Sequence, residues 1–203
     1  MSARLKQELR KIYYAKRREI PTLVRQQTSR MAADYFLQLD LFEHSQHIAC
    51  YTPFRDEFDS IPVIQKIWQA NKLCYLPILT EKKELFFVRY NEGDKLITNR
   101  YSILEPHNTL RRIQAQDLDM VVTPLVVFDT DGHRLGTGGG YYDRTFAFLR
   151  QNEKHKKPWM VGLCFSIQQA EQVPTDPWDI NLQAVVTENG MIDCRGLDNT
   201  NMN

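Results

Sequence analysis

No stretch of this chain approaches the roughly 18 consecutive apolar residues of a membrane helix, and no apolar signal core opens it. The sequence therefore reads as that of a cytoplasmic protein with no membrane contact. Paired cysteine motifs are missing too. The four cysteines, at 50, 74, 164 and 194, are scattered, without a C-x-x-C or a nearby histidine pattern, which excludes a disulfide scaffold and a zinc site. Cys50, Cys74 and Cys164 sit in apolar runs and read as reduced core residues. Five histidines show neither metal spacing nor a catalytic partner. Net charge is only +1, so no global field points to nucleic acid or membrane. Repeats, low-complexity segments and linkers are absent as well.

What remains is ordinary globular composition, 42% hydrophobic and 25% charged over 203 residues. That length suits one α/β domain over 1–190, with a polar, flexible tail over 191–203. The charge is uneven. Residues 1–30 carry nine Lys or Arg against Glu8 and Glu19, a basic N-terminal helix on a near-neutral body. In the helix over 3–18, Leu5, Leu9 and Ile12 mark the inward face, with Lys6, Arg10, Tyr13 and Arg17 on a solvent-facing stripe beside it. A second helix runs from Pro21 to Leu39, with Val24, Met31, Tyr35 and Leu39 inward. A third follows Ser60 as its cap.

Strands are expected over 47–52, 73–79, 84–90, 120–128, 159–165 and 183–188, the run 120–128 being one continuous buried strand. Their alternation with helices implies a mainly parallel sheet covered on both faces. Residues 91–115 lack periodicity and read as a long functional loop.

The stretch "RLGTGGGYYDR" (134–144) holds four of the nine glycines in five positions, between a strand and a helix. Gly136, Gly138, Gly139 and Gly140 allow positive φ angles and close approach to backbone N–H groups. The next helix would aim its N-terminus at the same place, with Arg134 and Arg144 bracketing it. The turn is either an anion cradle or plain architecture. It matches neither G-x-G-x-x-G nor a P-loop.

The segment "VVTPLVVFDTDGHRLGTGGGYYDRTF" (121–146) resembles the signature of the 5-formyltetrahydrofolate cyclo-ligase family, with weaker agreement along nearly the whole chain. The resemblance implies a Rossmann-like α/β layered fold. It implies an ATP- and magnesium-dependent ligase that turns 5-formyltetrahydrofolate into 5,10-methenyltetrahydrofolate. ATP would lie on Arg134, Leu135, Gly136, Thr137, Gly138, Gly139, Gly140, Tyr141 and Tyr142, with Lys6 and Arg10 from the family's K-x-x-x-R. Magnesium would fall to Asp143 and Asp179, and the folate to Thr52, Glu57 and Tyr142. Arg134, Tyr142 and Arg144 would serve the chemistry. Where some members carry lysine this chain has Gly139, so a phosphate contact there must come from Arg144 or Lys6. A monomer taking only a reduced folate and ATP is expected.

Each residue also has a plainer reading. Asp143 could complement a helix dipole, Asp179 could cap a turn, and Tyr142 could simply pack. Asp56 and Asp59 flank Glu57 as rival acids, and Tyr101 is either a closing aromatic or a hinge. The competing functions are an RNA- or protein-binding module using the basic helix, and a sugar-phosphate or acyl-transfer enzyme on the same fold.

Overall fold

The computed structural model describes residues 2–150 and 157–195. Helices α1 (Ser2–Arg18), α2 (Thr22–Phe36) and α3 (Asp40–Glu43) come first, then β1 (His47–Ala49) and α4 (Ile61–Gln69). Strands β2 (Leu73–Leu79) and β3 (Leu85–Arg89) lead into three short ones: β4 (Leu96–Thr98), β5 (Leu104–Pro106) and β6 (Arg112–Ile113). Next come β7 (Met120–Thr123), β8 (Val127–Phe128), β9 (Arg134–Leu135) and α5 (Tyr141–Thr145). Strands β10 (Trp159–Leu163), β11 (Ala184–Thr187) and β12 (Gly190–Asp193) complete the order.

Eight strands form one sheet in the order β12-β11-β10-β7-β1-β2-β3-β6. The five from β11 to β2 run parallel, with antiparallel β12 at one edge and the antiparallel pairs of β3 and β6 at the other. The expected mainly parallel α/β architecture is thus present. Adjacent residues on each central strand feed opposite faces, as a two-residue repeat demands. Ile48, Val122, Val161 and Val186 join Phe36 of α2 and Ile64 of α4 on one side. Ala49, Val121, Met160 and Val185 join Phe87, Phe146 and Ile180 on the other.

The two N-terminal helices dock on faces other than those the apolar spacing suggested. On α1, Leu5 and Ile12 are about half exposed, while Lys6, Tyr13 and Arg17 are buried. The charged stripe is the inward face, because it finds partners there. Arg17, expected at the surface, pairs with Asp56 at 2.9 Å and donates to the Leu125 carbonyl at 3.3 Å. Tyr13 Oη donates to the Gln169 carbonyl. On α2, Val24 and Met31 face solvent, while Tyr35 and, beyond the helix end, Leu39 pack on the core as expected. The buried helix residues are Thr28, Ser29, Ala32, Ala33 and Phe36, four of them small. The Thr28 and Ser29 hydroxyls donate back to the carbonyls of Val24 and Gln26, so their burial leaves no unpaired group.

Three further expectations fail locally. The run 120–128 is not one strand: β7 ends at Thr123, before Pro124, which has no N–H for a ladder. Val127 and Phe128 pair instead with Leu135 and Arg134 in a hairpin. The carbonyls of Leu125 and Val126, buried and outside any ladder, are taken by the fully buried Gln168 amide. Ser60 does not cap α4 with its side chain, which donates to the Tyr51 carbonyl. Residues 191–193, assigned to the flexible tail, belong to β12, while 196–203 lie outside the described residues. One histidine does gain an acidic partner. His133 Nδ1 lies 2.9 Å from Asp129, whose carboxylate also closes the β8–β9 turn by accepting the Asp131, His133 and Val173 N–H groups.

The orientation of α1 is checked by chemical denaturation. Ile12→Gln should change stability by less than about 0.5 kcal/mol. Arg17→Met should cost about 2–3 kcal/mol by stranding Asp56 and a buried carbonyl. The opposite ranking would mean that the helix is turned the other way.

Candidate active site

Strand order reverses between β1 and β7: from β1 the chain passes outward through β2, and from β7 through β10 and β11. Open α/β sheets leave a crevice at such a point, beyond the carboxyl ends of the strands. A cleft of about 1060 Å³ lies there, lined by the segment after β1, the loops around β8 and β9, the inward stripe of α1, and residues 176–179. Lys6, Arg10, Thr52, Glu57, Arg134–Asp143, Arg144 and Asp179 all line it, so the expected site residues converge on one cavity.

Along one wall, α1 acts as a ruler. Lys6, Arg10 and Arg17 face the cleft in turn, and at 1.5 Å per residue they span about 16 Å. The glycine loop meets the ruler at Arg10, whose Nε donates to the Gly136 carbonyl at 2.8 Å. Gly138 and Gly140 adopt φ values of +100° and +66°, a region in which a Cβ is strained. A Cβ on Gly138 would meet the Arg10 guanidinium only at ordinary contact distance, 3.7 Å, so its backbone angle rather than space is what calls for glycine there. The Leu135 side chain is buried in the small core under α1, so this residue offers the cleft only backbone.

The helix expected after the loop is short. α5 has five residues before a 3-10 turn over 147–150, so its N-terminus carries one turn's field rather than that of a long helix. Asp143, Ala147 and Arg150 nevertheless share its cleft side, as their spacing suggested. Arg144 sits at the rim and donates to the carbonyls of Lys83 and Gly139.

Several charges inside the cleft pair with one another. Arg134, only 7% exposed, donates to Asp143 Oδ1 at 2.9 Å, while its Nε is buried with no partner among the described residues. Lys6 Nζ lies between Asp176 Oδ2 at 2.7 Å and Asp179 Oδ2 at 2.6 Å. Burial works against the Lys6 ammonium, but its two carboxylate partners hold its pKa above the ordinary lysine value. Asp179 also accepts the Asp176 N–H, and Asp143 the Ile180 N–H, so these acids close local turns as well. Asp176 is the residue that sequence reasoning missed. Its signal was the acidic pair flanking Pro-Trp in "TDPWD", of which only the second member drew notice. Three carboxylates in one cleft are the hard oxygen donors a divalent magnesium ion takes, so the residues fit such an ion. The orphaned Arg134 Nε fits an anion beside it.

The other end follows β1. Thr52 is buried and donates its hydroxyl to the Leu104 carbonyl at 2.6 Å, tying the β4–β5 hairpin to the cleft. That hairpin occupies the expected long loop and carries Tyr101, 45% exposed, to the cavity wall. Of the three neighbouring acids, Asp56 is held by Arg17, and Asp59 accepts the Ile61 N–H at the start of α4. Glu57 lines the cleft with its Oε2 on the Phe54 N–H, and burial pushes its pKa up to about 7. Tyr142 is half-buried, stacked on Phe146 with Arg134 5.9 Å over its ring. Burial also raises its phenol, so it stays a proton donor.

Comparison with known proteins agrees with this geometry. A family profile described as the 5-formyltetrahydrofolate cyclo-ligase family matches residues 2–188. The 5-formyltetrahydrofolate cyclo-ligase of Escherichia coli K12 is 37% identical over 175 residues, covering 85% of this chain and 94% of that protein. That of Haemophilus influenzae is 36% identical over 181 residues, covering 88% and 92%. The solved structure of Aquifex aeolicus 5,10-methenyltetrahydrofolate synthetase superposes with a TM-score of 0.79 at 32% identity, covering 94% of this chain and 93% of that one. With the profile, the sequence relatives and the fold in agreement, this chain belongs to the 5-formyltetrahydrofolate cyclo-ligase family.

Proposed function

We propose that this chain converts 5-formyltetrahydrofolate to 5,10-methenyltetrahydrofolate, using ATP and magnesium and releasing ADP and phosphate. One observation carries the reading: a single cleft joins the half-buried Glu57 carboxyl, a glycine cradle rimmed by arginines, and three further carboxylates. The first suits a pterin, the second a triphosphate, the third a divalent cation.

The formyl oxygen is a poor leaving group. It attacks the γ-phosphorus of ATP, forming an O–P bond as the bond to the ADP oxygen breaks. N10 then adds to the formyl carbon and loses its proton. The C–O bond breaks, and phosphate leaves with the former formyl oxygen. Such phosphoryl transfer needs positioning and charge neutralisation rather than covalent help. Backbone N–H groups of 136–140 with Arg10, Arg134 and Arg144 neutralise the phosphates. Asp143 and Asp179 would hold the magnesium ion, which offsets the triphosphate charge when bound. An entering triphosphate competes for Lys6 and Arg134, and so releases their carboxylates to that ion.

Glu57, once ionised, accepts the pterin's amino and ring N–H groups as a planar pair. The Thr52 hydroxyl already donates its hydrogen bond to the Leu104 carbonyl, so it faces the folate as an acceptor. Tyr142 remains protonated and donates towards the oxygen where charge develops. Holding the folate bent brings N10 to the formyl carbon, an orientation worth several kcal/mol in an intramolecular closure.

Three outcomes test the reading. Near-ultraviolet absorbance of the methenyl product should rise on mixing protein with 5-formyltetrahydrofolate, ATP and magnesium, and stay flat when ATP is omitted. A flat trace from folded protein with all components removes the proposed activity. The pH profile follows from Glu57. Its pKa is raised from 4.5 to about 7, so the free enzyme is half protonated there and the pterin-binding form grows as pH rises. The kcat/KM for folate should climb about tenfold per unit below pH 7 and level off above about pH 8. In Glu57→Gln that step should vanish, and a wild-type profile flat through neutrality would take Glu57 out of the role. Asp143→Asn should lower kcat by about 100-fold or more and stop magnesium from saturating, with a melting temperature within a few degrees of wild type. Full activity in that variant would remove Asp143 from the ion's coordination.

A further inference from the structure

Trp178 is 57% exposed, more than any other aromatic side chain among the described residues, and it stands on the rim of the cleft. The backbone beneath it is fixed. Asp179 donates its N–H to the Asp176 carbonyl at 3.0 Å, and Asp176 donates its own to the Asp179 carboxylate at 2.9 Å. Lys6 grips both acids, and the Arg150 guanidinium reaches the Pro177 carbonyl. The next residue, Ile180, is buried in the core. The indole is thus presented to the cleft, more than half exposed, by a turn whose backbone is held on both sides. It is a flat apolar surface facing a polar cavity.

Its place along the α1 ruler says what would cover it. Arg17 marks the Glu57 end through Asp56, Arg10 marks the glycine loop, and Lys6 marks the 176–179 turn. Arg10 lies four residues from Lys6 and seven from Arg17, about 6 Å and about 10 Å along the axis. With the folate at Glu57 and phosphates on the loop, the γ-phosphate must point to the Arg17 end. The rest of the nucleotide then leaves towards Lys6, where Trp178 stands. We propose that Trp178 is the platform on which the purine ring of the nucleotide stacks. This rests on the assignment of folate and triphosphate to the two ends of the cleft. Stacking uses the π-face that every base has, so Trp178 gives affinity for a base without choosing strongly among purines.

Calorimetric titration in the presence of magnesium tests this with three probes: a non-hydrolysable ATP analogue, its guanine counterpart, and inorganic tripolyphosphate, which has no base. Trp178→Ala should weaken both nucleotides about tenfold and leave tripolyphosphate unchanged. Trp178→Phe should retain most of the affinity, and the KM for folate should not move in either variant. The side chain is exposed, so both variants should melt with the wild type. Unchanged nucleotide affinity in Trp178→Ala, equal losses for all three probes, or a loss confined to folate would overturn the assignment while leaving the proposed reaction intact. A wild-type protein that binds no nucleotide at all would overturn both.

Discussion

The fold holds its N-terminal helix by buried charge beside a small apolar cluster under Tyr13, and the charged contacts shape the candidate site. Lys6, Arg10 and Arg17 all turn inward, and each ends on an oxygen from a different segment: the 176–179 turn, the glycine loop, and the loop after β1. A buried cation without partners costs several kcal/mol, so the helix can seat itself only when those three segments are in position. The same contacts then bring the segments together around one cavity. Had Leu5, Leu9 and Ile12 formed the seam, the helix could dock with no cleft assembled beneath it.

This is also why the sequence was legible in some places and not in others. The parallel sheet could be read because continuous apolar runs such as "HIAC" and "WMVGLCF" suit only strands covered on both faces. The glycine turn could be read because four glycines in five positions have few structural uses. The faces of α1 and α2 could not. On α1 the apolar and basic stripes differ by a shift of one residue, and a cation is ordinarily the solvated choice. On α2 the inward set is chosen by size, with Ala32, Ala33 and two self-satisfied hydroxyls beating Val24 and Met31. Spacing carries no information on either point. Pro124 was read through rather than as a stop, although its missing N–H ends β7 and frees the carbonyls that Gln168 and Arg17 take up.

In the candidate site the residues carried by the family pattern do converge, and what the pattern could not convey is their state. Lys6 and Arg134 were expected on phosphate, Asp143 and Asp179 on a metal, yet in this structure they neutralise one another. Asp176 escaped notice because its part is visible only as a partner of Lys6. Glu57 is a similar case. Its sequence neighbours Asp56 and Asp59 carry the same group, but Asp56 is committed to Arg17 and Asp59 does not line the cleft, which leaves Glu57.

Those internal pairs bear on how a highly charged reaction fits a low-dielectric cleft. Eight basic and six acidic side chains line it, in a protein whose net charge is only +1. A ligand-free cavity holding bare arginines would pay heavily in desolvation, and one holding bare carboxylates would pay as much. Cross-pairing avoids both for Lys6, Arg17 and Arg134 and the carboxylates they hold. A triphosphate alone would then have to break the pairs and strand the carboxylates, and a divalent cation alone would strand Lys6 and Arg134. In the proposed reaction the two arriving together would exchange partners, anion for anion and cation for cation, so that neither set of side chains is left uncompensated. The cleft would thereby be biased against either ion singly and in favour of the complex of the two. That bias comes from the pairing itself and calls for no moving domain.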